Sequence, residues 1–293
     1  MNMDLSFNAN YIKALSHDQI RHYAPSIYAE QPAPGVSKNY GYVPTYPILD
    51  ELVNEQGWIV IAAQEAHVRI SENLGYAQHA VRLIQPDMKI IGVGETFPSI
   101  LLRNSHDATS TFQFLQAIFR KICGNGQVRQ QGEEASLKLR HNSKALAHLH
   151  EAAPLLIAGA KETAEQVQAL STITLTEQEK GVFALSAREL KWPAELETNE
   201  AGEVIKVIET APIRPEALLY HRRDADDLKG RGATLWNTMN VVQENLIRGG
   251  LSGRTVNGRR TKTRGVQAID VDIKLNRALW ALAEGMRKLK EVS

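Results

Sequence analysis

WIVIAAQEAHVRI, residues 58–70, is the stretch whose reading decides the fold. Trp58 through Ala63 are continuously apolar and the rest alternates, so the sequence predicts a strand buried on both faces at its start and on one face at its end. Just upstream, Leu49, Leu52 and Val53 give a short amphipathic helix that stops near Gly57. Downstream, the turn-like Ser71-Glu72-Asn73-Leu74-Gly75 leads to strand-like segments at 76–84, 89–93 and 99–103, punctuated by Pro86-Asp87 and Pro98. Successive strands with short connections make an antiparallel meander.

A helix is expected next. Asn104, Ser105, His106 and Asp107 offer N-caps, and Phe112, Leu115, Phe119 and Ile122 recur at three- and four-residue spacing until Gly124. A further strand pair, about 128–130 and 136–140, completes a β-β-β-α-β-β unit whose helix packs on one face of the sheet. The expected fold class is therefore α+β, with an N-terminal extension at 1–45, the α+β core at 46–142, a helical and acidic segment at 143–230, and a C-terminal helical hairpin at 231–293.

The extension has a helix-like stretch after Ser16 and a Pro/Gly-punctuated segment with Tyr28, Tyr40, Tyr42 and Tyr46, which suit either stacking on exposed bases or covering apolar surface. In the acidic segment, 145–170 predict one or two long helices. Thr176 with Glu179 makes a capping box for a helix to about Leu190, ended by Trp192-Pro193. In the last segment, Leu235, Met239, Val242 and Leu246 form one helical stripe and Leu275, Leu279, Leu282, Met286 and Leu289 another.

Between those helices lies RGGLSGRTVNGRRTKTR, residues 248–264, which holds Arg248, Arg254, Arg259, Arg260, Lys262 and Arg264 and no acidic residue. Arginine and lysine supply charge and phosphate hydrogen bonds, and Gly249, Gly250, Gly253 and Gly258 let the backbone approach a ligand. The formal charge of +1 conceals the polarity: 151–220 hold 6 Lys/Arg against 12 Asp/Glu, and 221–293 hold 15 against 8. One basic face for a polyanion and one acidic face turned away from it, or toward a neighbouring subunit, fit that distribution. Arg120, Lys121 and Arg129 are secondary phosphate candidates, the first two on the outer face of the expected core helix.

Other chemistry finds less support. A single cysteine, Cys123, excludes an internal disulfide framework, and its apolar neighbours suit a core residue. Gly253 and Gly258 have the spacing of a phosphate-binding loop, but Arg259-Arg260 stand where Lys-Ser/Thr is required. Gly92 and Gly94 lack the third glycine of a dinucleotide fingerprint. His106-Asp107 with Asp87, Glu95, Glu133 and Glu134 is a conceivable Mg²⁺ set for phosphodiester cleavage, whereas helix capping explains Asp107 more simply. His141, His148 and His150 match no zinc pattern. No apolar run suits a membrane span and no leader is evident, so a cytoplasmic location without membrane partners is expected.

Three blocks carry a resemblance: YVPTYPILDELV at 42–53, RNSHDATSTFQFLQAIFRKICGNG at 103–126, and WNTMNVVQENLIRGGLSGR through GRRTKTRGVQAIDVDIKLNRALWALAEGM at 236–286. They resemble the phage- and plasmid-borne "phage/plasmid-like protein" family, a domain of unknown function. The resemblance implies a mobile-element origin and brings no catalytic residues. The expected strand-helix order at 57–123 is also similar to the core of phage single-strand annealing proteins, which form rings or filaments around a basic groove. That likeness implies a homo-oligomer. The sequence thus predicts a DNA-binding protein, favouring single strands, that promotes annealing or recombination without a cofactor. The rivals are a metal-dependent nuclease and an interaction protein acting against a host defence complex.

Overall fold

The computed structural model describes residues 13–68, 71–87, 96–120, 125–128, 136–139, 159 and 162–292. The chain divides into two compact units, 1–166 and 167–293. Strands and helices of both units make the protein α+β.

In the first unit, β1 (Ile59–Glu65), β2 (His79–Ile84), β3 (Thr96–Asn104) and β4 (Phe112–Arg120) form an antiparallel meander; β1, β2 and β3 are expected strands, and the strand expected at 89–93 lies outside the described residues. Two short strands, β5 (Asn125–Val128) and β6 (Ser136–Leu139), complete a six-stranded sheet. They do not pair with each other as expected: β5 pairs with residues 117–120 of β4 and β6 with residues 112–115, so they follow one another along the same edge. The β1–β2 register shifts between Val60 and Ala62, and this bulge brings Val60 and Ala63 into one cluster while Ile61 joins the other face. Pairing across the bulge explains why the start of the stretch shows no clean alternation.

The helix expected from Asn104 to Gly124 is instead β4. Phe112, Leu115 and Phe119 do follow helical spacing, but Phe114, Ala117 and Ile118 are equally buried, which a one-faced helix would leave outside. Alternate residues feed opposite faces: Phe112 and Phe114 join Val81, Leu83, Ile100 and Leu102, while Phe119 joins Ile61, Ile84 and Phe97. A strand covered on both faces reads as nearly all apolar, and such a run carries no period of its own.

One face of the sheet is covered by α1 (His17–Tyr23), the one-turn helix Pro25–Tyr28 and α2 (Thr45–Asn54), through Ile20, Ala24, Ile27, Ile48, Leu49 and Leu52. Ser16 and Gln19 form a reciprocal capping box that starts α1, and the Leu15 amide donates to the Val60 carbonyl at 2.8 Å, tying its entry to β1. The expected tyrosine stretch is part of this layer. Tyr28 and Tyr46 pack ring to ring at 4.9 Å, Tyr40 donates to the Ser105 carbonyl at 2.8 Å, and Tyr42 donates to the Ala29 carbonyl.

In the second unit, α3 (Glu177–Lys191) begins with the expected capping box of Thr176 and Glu179 and ends at Trp192. Residues 162–172 are also helical, at the end of the span read as one or two long helices; 140–158 lie outside the described residues. The C-terminal hairpin consists of α4 (Leu235–Arg248) and α5 (Ile269–Val292), packed through Trp236 and Trp280 edge to face at 6.2 Å. Lys290 on α5 pairs with Glu179 on α3 at 2.9 Å. The acidic segment supplies a two-stranded hairpin, β7 (Glu195–Thr198) and β8 (Val204–Ile208). Among the described residues no helix is long and apolar enough to cross a membrane.

Candidate nucleic-acid interface

The basic loop folds into a ribbon, β9 (Ser252–Arg254) and β10 (Arg260–Lys262), between α4 and α5. Gly249 ends α4 at φ 68°, ψ −148°, a region that only glycine occupies without strain, and an added Cβ would lie 2.6 Å from the Arg264 carbonyl carbon. From there the chain is zipped: the Gly250 amide donates to the Thr263 carbonyl, and the Thr263 amide to the Leu251 carbonyl, both at 2.8 Å. At the tip the Gly258 amide donates to the Thr255 carbonyl at 2.8 Å and the Thr255 amide to the Arg259 carbonyl at 2.9 Å. The loop expected from the glycines is therefore a built element.

Register separates its two faces. Thr261 opposes Gly253, Arg260 opposes Arg254 and Lys262 opposes Ser252. Gly253 is pressed on residues 212–213, since a Cβ there would come 2.1 Å from the Pro212 carbonyl oxygen, and the Arg254 amide donates to that carbonyl at 2.7 Å. The opposite face carries Arg254, Arg260 and Lys262, all exposed, as are Arg259 and Arg264. Among the described residues none of these five has a carboxylate within ion-pair distance. Two arginines placed directly opposite repel one another, a local cost that bound anions would relieve.

The remaining site candidates are placed differently. Arg248 is in the last turn of α4 and pairs with Glu244 at 3.1 Å; Glu244 also takes two hydrogen bonds from Arg223, each 2.7 Å. Its charge is thus engaged in the base of the ribbon. Arg120, expected on an outer helical face, is a strand residue only 6% exposed, because β4 is buried on both sides. Lys121 and Arg129 lie outside the described residues. Lys191 was not singled out by sequence, yet it braces the ribbon: its ammonium donates to the carbonyls of Leu246 at 2.5 Å and Arg264 at 2.8 Å. Burial pulls its pKa down to about 8.

The described members of the expected magnesium set, Asp87, His106 and Asp107, belong to no metal-holding group among the described residues. His106 is fully buried and its Nε2 is 3.3 Å from the Thr45 hydroxyl. Asp107 caps no helix. Its Oδ1 accepts from the Thr109 amide at 3.1 Å and from the Thr109 hydroxyl, a turn between β3 and β4. Asn, Ser and Asp serve turns and helix caps by the same side-chain bond, which is why the sequence pattern pointed to a cap. Among the described residues no group of three or more His, Cys, Asp or Glu is arranged to hold a metal; Glu95, Glu133, Glu134, His141, His148 and His150 lie outside them. A shallow depression of about 570 Å³ is lined by Asp107 together with Pro34, Ser37, Asn39, Tyr40 and other uncharged residues. With an acid and, among the described residues, no cation in its lining, it does not suit phosphate.

Beside His106 is a buried polar cluster with a clear protonation pattern. His79 Nδ1 donates to the Ala77 carbonyl at 2.9 Å, which leaves Nε2 to accept from the Thr45 hydroxyl at 2.8 Å, and that hydroxyl accepts from Asn104 Nδ2 at 2.9 Å. Burial holds the His79 pKa down at about 4, against the Ala77 hydrogen bond and the nearby Asp107 charge, which raise it. The unfolded histidine titrates near 6.5, so between about pH 6.5 and 4 the unfolded chain gains a proton that the folded chain refuses. Stability is expected to fall as pH falls through that window, by up to about 1.4 kcal/mol per unit. Urea midpoints from pH 7 to 4.5 check this: the slope should lose nearly one proton in His79→Gln, and an identical slope would refute it.

Comparison with known proteins agrees with the three sequence blocks. The chain belongs to the family Domain of unknown function (DUF932), whose model matches residues 34–280. It is 32% identical over 273 residues to UPF0380 protein YfjQ of Escherichia coli (strain K12), covering 93% of this chain and 91% of that protein. It is also 32% identical over 275 residues to UPF0380 protein YafZ of the same organism, covering 94% and 92%. No solved structure matches, so the likeness to annealing proteins rests on sequence order alone, and the helix of that order is β4 here.

Proposed function

We propose that this member of a family of unknown function binds single-stranded nucleic acid through the β9–β10 ribbon and acts, as an oligomer, in annealing or recombination of a mobile element. The observation that carries the reading is the ribbon's free face, where Arg254 stands opposite Arg260 and beside Lys262 with no carboxylate paired to them among the described residues. Electrostatic attraction to phosphate accounts for cations so arranged, and a two-residue-repeat face of an extended ribbon matches an extended backbone better than a closed pocket does. Oligomer formation is supported by the β7–β8 hairpin, where Leu196, Val204, Ile205 and Val207 are each more than half exposed beside Glu195, Glu197 and Glu203.

Titration of a fluorescent single-stranded oligonucleotide at several salt concentrations tests the binding. With three to five cations on phosphates, log K against log salt should have a slope of roughly −2 to −4. A slope near zero would remove the phosphate reading, and magnesium-dependent strand cleavage in the same tubes would favour the nuclease instead.

A further inference from the structure

Tyr220 is 64% exposed, and its ring lies nearly parallel to that of His221, with 16° between planes and 6.2 Å between centroids. Exposed as it is, its backbone is held firmly. The Tyr220 and Leu218 carbonyls both accept from the Asn245 amide group, at 2.8 and 2.9 Å. Arg222, two residues on, donates to Asn245 Oδ1 at 2.9 Å and to the Gly249 carbonyl at 2.6 Å. Asn245 is one helical turn before Gly249, and Gly249 is in direct contact with the backbone of Arg264. The backbone that carries the aromatic pair is therefore fixed to the end of α4, at the root of the basic ribbon.

The other aromatic groups near this root or expected to stack are otherwise engaged. Lys191 sits over the Trp192 ring at 4.7 Å, and Tyr28, Tyr40, Tyr42 and Tyr46 pack or hydrogen-bond within the first unit. Tyr220 keeps an open ring on a rigid backbone, next to cations that draw in phosphate. Rings that stack with nucleobases need that combination, because every base has a π face but only an unpaired strand can turn one toward the protein.

We propose that Tyr220, seconded by His221, is a base-stacking platform that gives the site its preference for single strands. The proposal rests on the ribbon reading and adds a contact to bases where the ribbon contacts only phosphates. It is tested with Tyr220→Ala and Tyr220→Trp in the full chain, using a single-stranded oligonucleotide, an abasic oligonucleotide of equal length, and a duplex. Tyr220→Ala should weaken binding to the base-bearing single strand about tenfold and leave abasic and duplex binding unchanged, while Tyr220→Trp retains wild-type affinity. Melting should be unaltered in both, since the side chain is exposed. Equal affinities of wild type and Tyr220→Ala for the base-bearing strand, with salt-dependent binding intact, overturn the stacking platform and leave the ribbon standing. Failure of the wild type to bind either single strand overturns both.

Discussion

Replacing Arg254, Arg260 and Lys262 together by alanine is expected to weaken binding of a single-stranded oligonucleotide about a hundredfold at roughly 0.1 M salt and to cut the salt slope by about 2. Each lost phosphate contact removes about 0.7 of a decade of affinity for every tenfold of salt below 1 M, and three contacts remove about two decades. Stability should not follow. All three side chains are exposed, the Arg254 guanidinium bonds only the Gly258 carbonyl among the described residues, and relieving the Arg254–Arg260 repulsion offsets that loss. Fluorescence anisotropy and thermal melting on the same samples check both halves. Unchanged affinity would show that the ribbon is only a solvated turn, and a large drop in melting temperature would show that its cations hold the fold.

How much of this was legible in the sequence depends on whether a segment shows one face or two. α3 was readable to within a residue because its capping box, Thr176 with Glu179, is local chemistry, and the start of α1 was readable at Ser16, where the structure shows a second such box with Gln19. The stripe of α4 and α5 was readable because each helix has one apolar side. β4 was not, because its two faces meet different clusters and a helical subset can be picked from any nearly continuous apolar run. Misplacing β4 in a helix put Arg120 outside, whereas the strand buries it.

The site was half legible for a similar reason. An acid-free run of cations among glycines is a compositional fact, so Arg254, Arg259, Arg260, Lys262 and Arg264 could be named as candidates, and the structure leaves them exposed. Composition does not say which cation has a partner. Arg248 looks the same as Arg254 in sequence, and only the packing of α4 against 223–226 shows that a nearly buried carboxylate takes it. Tyr220-His221-Arg222-Arg223 did carry a signal, two aromatic rings followed by two cations, but exposure separates a stacking ring from a core ring and is set by tertiary packing. Lys191 likewise bridges carbonyls 55 and 73 residues away, beyond the reach of any local pattern.

Glu244→Ala is expected to be strongly destabilising, costing about 3–5 kcal/mol and lowering the melting temperature on the order of 10–20 °C. The carboxylate is 4% exposed and receives both Arg223 nitrogens at 2.7 Å and Arg248 at 3.1 Å. A methyl group in its place takes from Arg223, itself largely covered, the carboxylate that accepts from both of its terminal guanidinium nitrogens. The order of effects distinguishes a buried pair from a solvated cluster. Arg223→Ala should cost nearly as much as Glu244→Ala, because it takes two 2.7 Å hydrogen bonds from the same nearly buried carboxylate and leaves it the more exposed Arg248, whereas Arg248→Ala should cost less than about 1 kcal/mol, since that side chain is one-third exposed and Arg223 remains. Urea unfolding of the three variants provides the comparison; three equal and small losses would mean that water replaces the missing partner. Because Glu244 and Arg222 both brace the end of α4 from which the ribbon springs, Glu244→Ala should also weaken oligonucleotide binding, although it removes a negative charge that ought to favour it. Tighter binding in Glu244→Ala would instead show that Arg248, once released, serves phosphate better than the ordered root does.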